Sequence, residues 1–407
     1  MSVKVLHIAD LHLDTPFKSL KRLSETIFQQ IQNATRTSLE RLIDRAITEK
    51  VDAVLIVGDA FNSVQPDVRE QMFLHQQLSR LIEANISVVL SFGNHDYYTG
   101  PLLIDVPKGV HVLNEKVSSV ELTTQSNETL VVSGFSYYRN HIEQVEWQAF
   151  PHKKPHTYHI GMLHGQMGEG GYAPFTIQQL AEFGYDYWAL GHIHQRGIIS
   201  ERPLVAYSGN IQGLHSNEVG DKGGYLVHLN PHAQVHLEKV DTAPIVWIKE
   251  RIELSSDRTF MNVLEQIEAL YKTHQDGNAQ KETSLFLVKL DIYYDENVSK
   301  NLIEQLRDDA ILEVGSKGLY QLVNIKLIPQ VKKASVLLND DMSKLWETVQ
   351  KSALFEEMSE SMKELLSNKW IQQYFKEQIK NPDFFNAVHQ SSVQLVNEML
   401  GGEANED

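Results

Sequence analysis

The chain contains no cysteine. Disulfide cross-links are excluded, and so is any metal site or nucleophile built on a thiolate. A bound metal must rest on Asp, Glu, Asn and His. Long apolar runs are also missing: none approaches the roughly 20 residues that a helix needs to cross a bilayer. The first strand is expected to begin at Val3, which leaves no space for a secretion signal. These absences together predict a cytoplasmic protein with no membrane partner. Positive charge is scarce as well. The formal charge is −16; residues 1–240 hold 19 basic and 25 acidic side chains, and residues 241–407 hold 18 and 28. That balance argues against broad electrostatic attraction to nucleic acid, so a nucleic-acid substrate would need a local basic patch. Divalent cations would offset part of the negative charge where they bind. No internal repeat or low-complexity segment stands out.

What remains is a globular composition, 42% hydrophobic and 22% charged over 407 residues, enough for two or three domains. Its organising stretch is Ser91-Phe92-Gly93-Asn94-His95-Asp96. It follows the apolar run Ile86 to Leu90, which reads as a buried strand. Asn94 offers a neutral oxygen suited to a divalent metal, and His95 a group that can give a proton near neutral pH.

In chain order, Lys4 to Ala9 reads as a strand ending in Asp10-Leu11-His12. A helix is expected over 27–49, a second strand over Ala53 to Val57 ending in Gly58-Asp59, and a helix over Asp67 to Asn85. This β-α-β-α-β start predicts a parallel sheet. Shorter strands follow near 110–112, 117–123, 130–135 and 158–163, the last ending in His164. A helix near 176–183 leads to a strand over 187–190 that ends in Gly191-His192-Ile193-His194. Strands near 225–229 and 235–240 read as a closing hairpin around Asn230-Pro231. Pro244 opens a small β-α-β-α-β unit, with strands near 246–254, 285–293 and 320–328 and helices near 260–272 and 298–308. The expected division is a catalytic domain over 1–242, a cap over 243–331, a charged linker over 332–341 and a helical segment over 342–407. In the last, Met358, Met362, Leu365 and Trp370 share one helical face.

Five of these loops follow strands and carry ligand-type residues: Asp10 and His12; Asp59; Asn94 and His95; His164; His192 and His194. Open α/β sheets gather their sites outside the carboxyl ends of the strands, so the five can converge. In extended backbone, residues two apart point the same way, which gives Asp-x-His and His-x-His their use. Oxygen and imidazole donors without sulfur suit manganese, iron or zinc. Asp59, central among the loops, is the natural bridge between two such ions. Two ions clamp the attacking and leaving oxygens in phosphoryl transfer. Many of the 18 histidines, His75 and His389 among them, are read as ordinary surface or core residues.

With Gly58-Asp59, Gly93-Asn94-His95-Asp96, Gly161-Met162-Leu163-His164 and Gly191-His192-Ile193-His194 added to Asp10-Leu11-His12, residues 1–240 resemble the calcineurin-like metallophosphoesterases. Within that family, His7 to Leu13, Gly58 to Phe61 with Pro66, and Tyr207-Ser208-Gly209-Asn210 look like the SbcD-type DNA repair exonucleases, in the YhaO-like branch. The resemblance implies an α/β sandwich of two sheets flanked by helices, a capping domain and a helical partner-binding segment. It implies two metals, manganese above all: one on Asp10, His12, Asp59 and His194, the other on Asp59, Asn94, His164 and His192. His95 would protonate the leaving oxygen, with Asp96 and Asn62 beside it. Asn62 stands where the family often has Asp or His to orient that histidine. A DNA substrate, an SbcC-like SMC-type ATPase gripped by the C-terminal helices, and a homodimer formed near the helices beside the second and third strands are also implied.

Substrate contacts are read as either of two things. Lys18, Lys21 and Arg22 meet phosphates or form a solvated helix start. Tyr97 and Tyr98 stack on an unpaired base or pack at the loop base. The alternatives to a nuclease are a phosphatase or cyclic-nucleotide phosphodiesterase, and a weakly active adaptor that organises an ATPase. The apolar face of the C-terminal segment either packs on the cap and its own helices or binds the ATPase.

Overall fold

The computed structural model describes residues 3–98, 106–230, 235–277, 285–295, 297–308 and 310–330. The expected linker and C-terminal helices lie outside the described residues. A compact unit spans residues 1–330.

The first part runs β1 (Val3–Ile8), α1 (Glu25–Gln32), α2 (Ala34–Glu49), β2 (Ala53–Val57), α3 (Val68–Glu83), β3 (Ser87–Ser91) and β4 (Val110–Val112). The second runs β5 (Ser118–Thr123), β6 (Thr129–Gly134), β7 (Tyr158–His164), α4 (Ile177–Ala181), β8 (Tyr187–Gly191), β9 (Gly197–Glu201) and β10 (Leu204–Tyr207). Then come β11 (Gly223–Leu229), β12 (His236–Asp241), β13 (Ile245–Leu254), α5 (Phe260–Gly277), β14 (Leu285–Tyr294), α6 (Lys300–Arg307), α7 (Ala310–Val314) and β15 (Tyr320–Pro329).

Among the described residues three sheets result, in the orders β12-β11-β1-β2-β3-β4, β5-β6-β7-β8-β10-β9 and β13-β14-β15. β1 to β4 are parallel, and β11 closes antiparallel on β1. The first sheet is therefore mixed. It makes an α/β sandwich with the second, as the family resemblance implies.

Alternation along the strands explains why. In β2, Ala53, Leu55 and Val57 face the second sheet, where they meet Ile160, Met162, Tyr187 and Ala189. Val54 and Ile56 face the other way, onto Leu39, Leu42 and Ile43 of α2 and Leu74, Leu78 and Leu81 of α3. Both faces are covered, so these strands read as unbroken apolar runs. The outer face of the second sheet is closed by an aromatic layer around Trp188, with Phe150, Phe183 and Tyr185.

Two departures from the sequence reading have local causes. The single helix expected over 27–49 breaks at Asn33, which caps α1 and leads into α2. Asn competes for backbone hydrogen bonds and so favours such junctions. The hairpin β9–β10 and the short α7 were not predicted; β9 is half-exposed and too short to show a clear period. On α3, Val68 and Met72 are 68% and 69% exposed, one turn apart. No helix among the described residues is long and apolar enough to cross a membrane.

The third sheet seats on the first part through Ile245, Trp247, Leu285, Leu287 and Val323, against Phe17, Leu20, Phe28 and Ile31. Leu55, fully buried between the two large sheets, is the clearest test of the sandwich. Leu55→Ala should lower the unfolding free energy by about 2–5 kcal/mol, read from urea titration. A loss below about 1 kcal/mol would mean that the sheets do not close over this residue.

Candidate metal centre

Each of the five ligand-bearing loops leaves the carboxyl end of a strand, and the backbone ties the tips to one another. Asp10 N–H donates to Gly58 O, His12 N–H to Asp59 O and Gly58 N–H to Ser91 O, each at 3.1 Å. Gly165 N–H reaches Gly191 O at 3.1 Å in the second sheet. The sandwich thus brings Asp10, His12, Asp59, Asn94, His164, His192 and His194 together. Asp10, His12, Asp59 and His164 are each at most 1% exposed.

The geometry is one of ligand-type nitrogen and oxygen atoms turned toward each other. His12 Nε2 and His194 Nε2 lie 3.1 Å apart. Asn94 Oδ1 lies 3.0 Å from His164 Nε2 and 3.0 Å from His192 Nδ1. Asp59 Oδ2 is 3.3 Å from His164 Nε2 and 3.9 Å from His12 Nε2. His164 Nδ1 sits 3.0 Å from the Val57 carbonyl, which can only accept. Nδ1 therefore carries a proton, which leaves Nε2 as the ring atom turned inward to Asp59 and Asn94. Such a buried set of carboxylate, amide and imidazole groups is suited to enclosing positive charge. The donor set, all nitrogen and oxygen, fits divalent cations.

Among the described residues, two groups of ligand atoms lie within metal-sharing distance: Asp10, His12 and His194, and Asp10, Asp59 and His164. Asp10 is common to both. Asp59 touches members of both through one oxygen, while its other oxygen accepts from His95 N–H at 3.0 Å.

Charge follows the same logic. Burial alone lowers the pKa of His164, but the facing Asp59 outweighs it and raises it to about 9. Burial pushes Asp59 up, yet His164, His12 and His95 hold its carboxyl well below the usual range. For Asp10 burial wins, and the pKa rises to about 6. Burial depresses His12 and His192 to about 3, which keeps their nitrogens neutral and able to ligate.

Backbone strain concentrates here. Asp10, His12, Asp59 and His192 have φ of 50°, 44°, 51° and 95°. Side chains seldom adopt this region, and such strain gathers at functional sites. Two glycines make the close approach possible. A Cβ on Gly58, itself at φ +79°, would lie 2.2 Å from His164 Nδ1; one on Gly93 would lie 2.2 Å from Asp59 Oδ1.

The remaining predicted residues fall in different places. His95 is exposed, with its ring 5.3 Å from that of His12, at the mouth of the buried cluster. Asp96 turns inward and accepts from Gly93 N–H at 2.7 Å and Phe61 N–H at 3.2 Å, pinning the loop. Burial, reinforced by Asp59, raises its pKa to about 7. Asn62 donates to Asp14 at 3.2 Å and Thr15 at 2.7 Å, so its amide holds the first loop. Arg22 donates to Val323 O on β15, which commits it to the seam with the third sheet. Lys18 and Lys21 are exposed in and after a 3-10 turn. Tyr98 is half-buried on the core beside Phe92, and Tyr97 packs on the aromatic layer.

Three residues were missed from sequence. Glu218 Oε1 lies 2.5 Å from His194 Nδ1. Tyr172 stacks on His192 with ring centres 4.6 Å apart. Lys222 Nζ donates to His194 O at 2.9 Å. All three sit in irregular loops, where no period marks them; only the density of Gly, Asn and Ser over 207–224 signalled a loop beside the ligands.

Residues 3–196 match the family model described as calcineurin-like phosphoesterase. The chain is 36% identical over 270 residues to the metallophosphoesterase YhaO of Bacillus subtilis (strain 168), a match covering 65% of this chain and 66% of that protein. It is 27% identical over 287 residues to the DNA double-strand break repair protein Mre11 of Methanocaldococcus jannaschii, covering 65% and 72%. It is 25% identical over 259 residues to a component of the nuclease SbcCD of Bacillus subtilis (strain 168), covering 54% and 64%. In two of these three relatives the match spans just under two thirds of the relative's own length. Residues 3–196, which build the ligand cluster, are similar to the calcineurin-like phosphoesterases, a family of hydrolases that work with a dinuclear metal centre.

Proposed function

We propose that the protein is a two-metal phosphodiesterase that cuts DNA at or near ends during repair. It would serve as the nuclease component beside an SbcC-like SMC-type ATPase. One observation carries the phosphodiester part: a solvent-facing imidazole, His95, held against a buried cluster of converging lone pairs. The DNA part rests on the names of the relatives, a break-repair protein and a nuclease component.

In this reading Asp10, His12, Asp59 and His194 hold one cation, and Asp59, Asn94, His164 and His192 the other. Manganese is the ion we favour for such donors. When bound, the pair supplies positive charge to the phosphate and lowers the pKa of an attacking water. The chain's own residues do the rest. The Val57 carbonyl fixes His164 with its ligand nitrogen inward. Asp59 places the His95 backbone through one oxygen while the other faces both ligand sets. His95, outside the buried set, gives a proton to the departing oxygen. Proton donation of this kind contributes about 10²–10⁴-fold.

Asp59→Asn should lose most bound manganese and all hydrolysis, because the shared oxygen loses its charge. His95→Asn should keep both metals while turnover falls about 10²–10⁴-fold. Metal analysis with rate measurements separates the two; loss of metal in the His95 variant would make it a ligand instead. A panel of linear DNA, nucleotide monoesters and cyclic nucleotides with manganese tests the substrate. Preferred cleavage of monoesters or cyclic nucleotides would replace the nuclease reading, and no cleavage at all would favour an adaptor. A homodimer, if it uses the exposed Val68 and Met72 of α3, should dissociate in Met72→Glu by sedimentation. A wild-type monomer at micromolar concentration would remove it.

A further inference from the structure

The loop between β10 and β11 does more than connect strands. Glu218 is only 7% exposed, and its carboxylate is surrounded by donors. Oε1 lies 2.5 Å from His194 Nδ1 and 3.2 Å from His215 Nε2. Oε2 accepts from Asn210 Nδ2 at 2.8 Å and from Leu214 N–H at 2.6 Å. The carbonyl of His194 is held as well, by buried Lys222. A carboxylate on Nδ1 places the histidine proton there and turns Nε2, 3.1 Å from His12 Nε2, toward the cluster.

The loop is itself fastened by the third sheet. Gln212 Nε2 donates to Ile245 O at 2.7 Å, and Trp247 Nε1 donates to Gly213 O at 3.1 Å. Gly220 N–H donates to Trp247 O at 3.1 Å. These bonds bracket Glu218 on both sides, and β13 supplies all three partners. Gln212 is 1% exposed and Trp247 4% exposed, so water does not compete for them.

We propose that Glu218 is a positioning residue for His194, and that β13 holds Glu218 in place, which makes the third sheet part of the metal centre. This rests on the metal reading above. Displacing β13 would loosen the His194 side of the centre first and leave the Asn94, His164 and His192 side intact.

The test is manganese binding by calorimetry and electron paramagnetic resonance, on the full chain. The wild type should bind two ions with a spin-coupled signal; failure to bind any would overturn the metal reading itself. Glu218→Gln keeps the shape and loses the charge. It should weaken one of the two ions by about 10–100-fold and give the signal of an isolated ion at intermediate manganese. Its melting temperature in chelator should match the wild type, which a merely structural glutamate would not allow. Trp247→Phe removes the indole donor and should weaken the same ion by a smaller factor. Unchanged binding in Glu218→Gln, or equal loss of both ions with a lowered melting temperature in chelator, would overturn the positioning role. Unchanged binding in Trp247→Phe would overturn the part given to β13.

Discussion

The structure depends on holding acceptors against one another. Asp10, Asp59, Asn94 and four imidazoles present lone pairs inward at separations of 3.0 to 3.9 Å. The two buried carboxylates repel each other and so do the crowded imidazoles, and the attraction of Asp59 for His164 offsets only part of this. What opposes the repulsion is the rest of the fold. Backbone N–H groups point at the carboxylates from behind: His192 on Asp10 and His95 on Asp59. Carbonyl and carboxylate acceptors behind the imidazoles, Val57 and Glu218, turn the remaining lone pairs forward. Burial then strengthens every one of these interactions, since little water competes.

Strain is the second cost of that arrangement. Four ligand residues sit at positive φ, at about 1–3 kcal/mol each. A sharp reversal straight after a strand is what lets Asp10 and Asp59 turn back over the sheet ends instead of running on into solvent. The apolar alternation of β1, β2 and β3, with both faces covered, provides the rigid frame that this requires.

The same contrast decides what could be read from sequence. The ligand loops were legible because each follows an apolar run and carries a short polar motif at its end. The strands of the core were legible because their neighbours bury both faces. Glu218 and Lys222 were not, since a lone acid or lysine in a Gly-rich loop has no periodic context; only the folded loop gives each its partner. Arg22, Tyr97 and Tyr98 show the opposite difficulty. Their types suit phosphate or base contacts, yet tertiary packing engages Arg22 with β15 and sets both tyrosines against core residues. The family resemblance sets Asn62 beside His95. In the structure its amide nitrogen donates to Asp14 and Thr15, which ties it to the first ligand loop.

The ligands come from both large sheets, and that has a consequence for folding. Asp10, Asp59 and Asn94 leave the first sheet, and His164, His192 and His194 leave the second. Their separation in sequence is as large as 184 positions, between Asp10 and His194. The centre therefore cannot form locally; it exists only once Leu55, Val57, Ile160, Met162 and Ala189 have closed the interface between the sheets. Cations that bind the closed form and not the open chain must then stabilise that closure, in proportion to their affinity and concentration. The acidic loop tips that make the folded chain costly to assemble alone become its fastening when charge of the opposite sign is present. The core and the site are thus one cooperative object, with the hydrophobic interface setting the geometry and the ligand cluster reading it out.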